Sequence, residues 1–101
     1  MIDVIASIQI KEGRLSEFLK IFKANVPKVL QEKGCLAYAP TIDLPTGLPV
    51  QEMNKNIVTI IEKWESLEAL QTHLTAPHMI AYKEAVRNIV DKTSIKVLKE
   101  V

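Results

Sequence analysis

Cysteine is nearly absent from this chain: Cys35 is the only one. An internal disulfide and a multi-cysteine metal site are therefore excluded. A single thiol fits a reducing compartment. Charge of one sign is also missing. The net charge is +1, which leaves no electrostatic case for a nucleic-acid partner or an anionic membrane. No stretch approaches the about 20 apolar residues of a transmembrane helix. The start, MIDVIASIQIKEG, alternates and carries an acid at Asp3. It lacks the basic start and apolar run of a signal peptide. We read the chain as cytoplasmic, with no membrane and no nucleic acid among its partners.

What is present is ordinary for a folded protein. The chain has 101 residues, 48% hydrophobic and 25% charged. That predicts one domain spanning residues 1–101. A domain this small buries a modest share of its surface, so oligomerisation is an expected source of stability.

The hydrophobic pattern changes period along the chain. Residues 2–10 alternate, with Ile2, Val4, Ala6, Ile8 and Ile10 on one face, and read as a strand. Residues 14–33 switch to helical spacing through Leu15, Phe18, Leu19, Phe22, Val26, Val29 and Leu30. Pro27 predicts a kink near Lys23–Val26 or a break into two helices. Gly34 suits the stop. Residues 35–43 read as a second strand, with Leu36, Tyr38, Pro40 and Ile42 on one face. Pro40 places it at an edge or a bulge. Residues 44–55 lack a period and hold two prolines, as a solvated connection or a lid or partner arm would.

Residues 56–65, NIVTIIEKWE, carry the strongest strand signal and are expected to be central. Glu62 and Trp64 share a face. Ser66 then caps a short helix from Leu67. Pro77 restarts a second helix, from about His78 to Val90. Residues 93–101 alternate as a last strand.

The order β-α-β-β-α-β predicts a ferredoxin-like α+β fold: an antiparallel four-stranded sheet with two helices on one face. The other sheet face carries Ile5, Ser7, Ala37, Ala39 and Ile61, too apolar for water as a set. A second copy packed sheet to sheet would bury it, so a homodimer through the sheet face is expected.

Three stretches carry a family resemblance: Val4-Ile5-Ala6 with Lys11-Glu12-Gly13; Gly34-Cys35-Leu36-x-Tyr38; and Glu62-x-Trp64-Glu65-Ser66-x-Glu68-Ala69-Leu70-x-x-His73-Leu74-x-Ala76-Pro77-His78. They resemble the antibiotic-biosynthesis monooxygenase domain family over essentially the whole chain. The third block is the specific one. The resemblance implies a dimeric α+β barrel. It also implies oxidation of a quinol or related small aromatic by molecular oxygen, with no metal, flavin or haem. The same fold hosts isomerases and proteins of no known reaction, so a non-oxidative isomerase and a non-enzymatic binding dimer stand beside that expectation. The family's oxidative site uses an Asn, a Trp and a basic or tyrosine side chain. Trp64 matches the Trp, and His73 and His78 match a His-x(4)-His pattern. Near the polar position of the first strand this chain has Ser7 and Gln9 rather than Asn.

Oxygenation without a cofactor needs a base that titrates near neutral pH, which points to His. The expected catalytic residues are His78, His73 and Trp64. Tyr82, Tyr38 and Glu62 are expected to meet the substrate. Each has a plainer reading. Trp64 and Tyr82 are also core positions, and His73 can cap a helix C-terminus. Glu62 would act as a base only if buried. The two histidines flank a helix break and lack the i, i+4 spacing and third ligand of a zinc site, so no metal is expected.

Overall fold

A computed structural model describes all residues, Met1–Val101. The order of elements is β1 (Ile2–Ile10), α1 (Leu15–Leu30), β2 (Cys35–Thr41), β3 (Ile57–Trp64), α2 (Leu67–Leu74), α3 (Pro77–Val86) and β4 (Val90–Leu98). The four strands form one antiparallel sheet in the order β2-β3-β1-β4. This is the ferredoxin-like arrangement, with β2 at an edge and β3 central. No helix is long and apolar enough to cross a membrane.

Strand register explains where the core lies. Tyr38, Glu62, Val4 and Val97 form one cross-strand row, and Pro40, Ile60, Ala6 and Ile95 form the next. Side chains of a row share a face. The buried members, Val4, Ala6, Tyr38, Ile60 and Glu62, meet Phe18, Phe22 and Val29 of α1, Leu70 of α2, and Met79 and Val86 of α3. The helices do not cover β4, whose Ile95 and Val97 remain about half exposed on this side. On the opposite face Ile61 is 48% exposed and Ala39 is also exposed, while Ile5, Ser7 and Ala37 are half-buried.

Four local expectations need correction. Pro27 does not break α1, which runs unbroken from Leu15 to Leu30. Pro27 lies on the exposed side and the acceptor it abandons is the carbonyl of exposed Lys23, which water can satisfy. Leu30 falls off the buried stripe and is 49% exposed. In β2 a register shift between Cys35 and Ala37 sets Cys35 opposite Trp64. The bulge turns Cys35 toward the core and leaves Leu36 exposed, so strict alternation fails there. At the C-terminal end α3 stops at Val86 and β4 starts at Val90, earlier than the pattern suggests. A second register shift, at Gln9/Ile10, lets Val90 pair with Ile10.

Gly34 links α1 to β2 at a crowded point. Its φ is +86°, and an added Cβ would lie 2.7 Å from the Cβ of Ala69. Its carbonyl accepts from the Glu65 amide at 2.8 Å. Gly34→Ala should cost about 2–4 kcal/mol, from left-handed strain plus overpacking. Gly13 also has positive φ (+79°) but nothing within 4 Å of the added Cβ. Gly13→Ala should cost about 1 kcal/mol. Urea midpoints of the two variants check the difference.

Candidate active site

The site begins with the alternation of β3. Ile60, Glu62 and Trp64 point toward the helices and are buried. The Trp64 indole Nε1–H donates to Glu62 Oε1 at 3.0 Å. Tyr38 stands opposite Glu62 on β2. From above, the Phe22 ring of α1 stacks on Tyr38 at 5.5 Å, and Tyr82 of α3 meets Phe22 edge-on at 5.5 Å. The few aromatic side chains are thus gathered in one place.

His73 enters from α2. Ser66 caps that helix, its hydroxyl accepting from the Ala69 amide at 3.2 Å. The cap fixes the helix start and hence the phase of its buried side. Leu70 and His73 are the residues it buries. The His73 ring is tilted over Trp64 at 4.6 Å and edge-on to Tyr38 at 5.4 Å.

The break at Thr75–Ala76 then brings the two histidines to one carboxylate. His73 Nδ1 lies 2.9 Å from Glu32 Oε2, and His78 Nε2 lies 2.7 Å from the same oxygen. The side chains are 2% (His73), 21% (His78) and 11% (Glu32) exposed. An ionised Glu32 accepts an N–H from each ring. The Nδ1–H of His73 is then committed to Glu32 and its Nε2 keeps a lone pair. These are direct hydrogen bonds. No group of three His, Cys, Asp or Glu side chains is arranged to hold a metal ion.

A cavity of about 370 Å³ opens beside this cluster, between α3 and the β1–β4 side of the sheet. Ala6, Ile8, Phe22, Ile60 and Met79 give it apolar walls; Tyr38, Glu62, His73 and Tyr82 add polar groups; Lys83 and Arg87 stand on α3. The volume and the mix of lining suit a small organic molecule.

Burial sets the protonation states. It pushes the Tyr38 and Tyr82 hydroxyls well above the ordinary phenol value, with nearby Glu62 adding to the effect at Tyr38. It raises the Glu62 carboxyl, opposed by the Trp64 hydrogen bond. It lowers His73, opposed by Glu32. His73 is therefore a neutral imidazole at neutral pH.

The cavity thus takes in four of the six anticipated residues: His73, Tyr38, Tyr82 and Glu62. Trp64 lies behind the wall, fully buried, and holds Glu62 and His73 in place. His78 faces a shallow depression between α1 and α3, lined also by Asn25 and Lys28. It reaches the cluster only through Glu32. The first strand contributes Ala6 and Ile8 to the cavity, while Ser7 pairs with Thr59 on the opposite face and Gln9 is exposed. Glu32 escaped the pattern analysis, where it is only a polar residue off the apolar stripe. One signal was available: an acid just after a helix C-terminus opposes the macrodipole, which favours a cation there.

A family model described as "Antibiotic biosynthesis monooxygenase" matches residues 1–85. The chain belongs to the antibiotic biosynthesis monooxygenase family. It is 41% identical to the "Probable quinol monooxygenase YgiN" of Escherichia coli K12, covering 98% of this chain and 97% of that protein. Solved structures agree on the fold. A conserved protein from Methanosarcina mazei Go1 superposes with a TM-score of 0.84 at 26% identity, covering 99% of this chain and 92% of that one. A protein from Nitrosomonas europaea, described as a putative antibiotic biosynthesis monooxygenase, gives 0.85 at 11% identity, covering 100% and 99%. The part matched by the family model includes Glu32 and every anticipated site residue up to Tyr82.

Proposed function

We propose that the protein is a cofactor-independent quinol monooxygenase, acting on a small aromatic quinol as a cytoplasmic homodimer. The observation that carries this reading is His73: an imidazole on the wall of an apolar cavity, its Nδ1 2.9 Å from the Glu32 carboxylate. Family membership and the name of the Escherichia coli relative support it.

The reaction turns on one proton. The cavity disfavours phenolate, as the raised Tyr38 and Tyr82 show. A bound quinol does not ionise there unaided. His73 Nε2 removes the hydroxyl proton, and Glu32 balances the imidazolium that forms. The quinolate is electron-rich and reduces oxygen directly, so the substrate is its own reductant. One oxygen atom forms a C–O bond to the ring. The other leaves as water, taking back the proton held on His73. Quinol plus O2 gives hydroxyquinone plus water, so atoms and electrons balance. Glu62 and Tyr82 orient the ring, Tyr38 closes the wall, and Trp64 supports both Glu62 and His73.

The dimer reading rests on the uncovered sheet face. Ile5, Ala37, Ala39 and Ile61 form an apolar patch there, bordered by Ser7, Thr59, Ser94 and Lys96 and by the Lys63–Asp3 pair at 3.5 Å. Covering it with a second copy removes that surface from water.

The test is oxygen uptake with a chemically reduced naphthoquinol, in the presence of a chelator, on protein whose mass is followed by light scattering. Uptake above the autoxidation background, with a mass of two chains, is expected. Background rates across a panel of benzoquinols and naphthoquinols would overturn the enzymatic reading, and a one-chain mass would overturn the dimer.

A second reading is favoured by one observation: Glu62 and His73 line the same cavity. Two groups of opposed proton demand can shuttle a proton within a hydroxyketone, making the protein a non-oxidative isomerase. Turnover in the absence of oxygen distinguishes it.

A further inference from the structure

His73 and the cavity lie to one side of Glu32, and the depression between α1 and α3 lies to the other. There, His78 Nε2 sits 2.7 Å from Oε2, the same oxygen that His73 Nδ1 approaches at 2.9 Å. His78 is not in the cavity. It lines the depression between α1 and α3 and is the most exposed of the three side chains. We propose that His78 is a positioning residue that acts on His73 through their shared carboxylate oxygen. This rests on the reading of His73 as the base.

Two imidazoles compete for one carboxylate. With His78 neutral, the charge of Glu32 is directed at His73 and holds a proton there. With His78 protonated, the two charges largely cancel, and His73 gives up its proton more readily. The hydrogen bond that each ring makes to Oε2 therefore bears on the other ring's. Because His78 touches solvent and His73 does not, the state outside is transmitted to the base inside without any movement of the cavity wall. The hydrogen bond also has a geometric effect. A second donor on Oε2 stops the carboxylate from rotating away from His73, so the Nε2 lone pair keeps its direction.

The other groups around His73 do not supply such control. Glu32 comes from the end of α1, His78 and Lys83 from α3, Glu62 and Trp64 from β3, and Tyr38 from β2. The Lys83 ammonium donates to the Leu74 carbonyl at 3.2 Å, which keeps it at the end of α2. Trp64 carries no charge, and Glu62 is engaged by Trp64 at 3.0 Å. Tyr38 is held neutral by burial. On the outer side Lys28 shares the depression with His78. Glu32 also borders a hollow with Lys33, Glu65 and Glu68, but its carboxylate is hydrogen-bonded to the two imidazoles alone. Of those two, His78 is the one that meets water.

The experiment compares His78→Gln and Glu32→Gln with the unaltered protein. Gln at 78 keeps an N–H donor but cannot be charged; Gln at 32 removes the charge that both rings share. Two readouts are taken: the acid limb of kcat/KM against pH for naphthoquinol oxidation, and the titration of the His73 ring by NMR in the substrate-free protein. His78→Gln should move both upward by about half to one pH unit, and Glu32→Gln should move both downward by a similar amount. Glu32→Asp, a milder change, is the substitute if Glu32→Gln does not fold. It should shift both in the same direction as Glu32→Gln, less far.

An unmoved His73 titration in folded His78→Gln would overturn the proposal and leave His78 as a tie between helices. The two claims fail separately. If no quinol is oxidised but the NMR titration moves as stated, the coupling stands and the reaction assignment falls. If oxidation proceeds and the His78→Gln profile does not move, the coupling falls and the reaction assignment stands.

Discussion

His73→Gln should lower kcat for quinol oxidation by about 10²–10⁴-fold, the range lost with a positioned general base. KM should change much less, because the apolar walls that bind the ring are untouched. Gln fills part of the imidazole volume and can still donate to Glu32, so the variant should remain folded. The pH dependence follows from burial. His73 is pushed below its ordinary value of 6.5, with desolvation the largest cause. Loss of activity should therefore begin only as pH falls below about 6.5. Stability follows the same group. The unfolded ring binds a proton more readily than the folded one, so the fold loses stability as pH drops through 6.5 toward the folded value. Steady-state oxygen uptake, measured as kcat and KM separately, decides the matter. A variant that loses affinity and keeps kcat would show His73 to be a wall residue and not the base.

Trp64→Ala should be among the most destabilising substitutions in the chain, at about 3–5 kcal/mol. The side chain is fully buried among β3, β2 and α2. Its removal also strips Glu62 of the indole donor 3.0 Å away. A domain of this size has only about 5–15 kcal/mol in total, so the thermal midpoint should fall by tens of degrees. Trp64→Phe separates the two effects. It keeps most of the packing and removes the N–H, and should cost about 1–3 kcal/mol. Glu62 gives this variant a pH signature. Its carboxyl is already raised above 4.5, chiefly by desolvation. The folded state thus holds the proton more tightly, and stability declines as pH rises from 4.5 through the folded value. Without the indole donor the folded value rises further. The deficit of Trp64→Phe relative to the unaltered protein should therefore be larger at neutral pH than at pH 4, where Glu62 is protonated in both states. Guanidinium unfolding at the two pH values measures this. Equal deficits would mean that the indole hydrogen bond does not serve Glu62.

Residues 56–65 show how far local pattern carries. Alternation alone sets Glu62 and Trp64 on one side of β3, and the structure joins them by a hydrogen bond. Ser66 announces the start of α2, and Pro77 that of α3. Pro40 marks β2 as an edge. These features are legible because their causes lie within a few residues: side-chain period, a cap, a missing donor. The order of elements then leaves few topologies, and the ferredoxin-like sheet follows. The errors have the opposite character. The bulge at Cys35/Ala37 and the early start of β4 are settled by pairing with distant strands, which no local window contains. The continuity of α1 through Pro27 depends on which side of the helix meets water.

The candidate site divides along the same line. That a Trp, two His, a Tyr and a Glu would gather near the β3–α2–α3 corner followed from their nearness in the chain. That His73 faces the cavity while His78 stays outside it did not. Their common partner, Glu32, is 41 residues from one and 46 from the other. Its position follows from how the end of α1 lies against α2 and α3, a matter of packing between helices. Periodicity tells which face of a helix is buried but not what that face touches. Local chemistry therefore sufficed for the fold and the residues available to it, and long-range packing set one imidazole on the cavity wall and the other outside it, across a shared carboxylate.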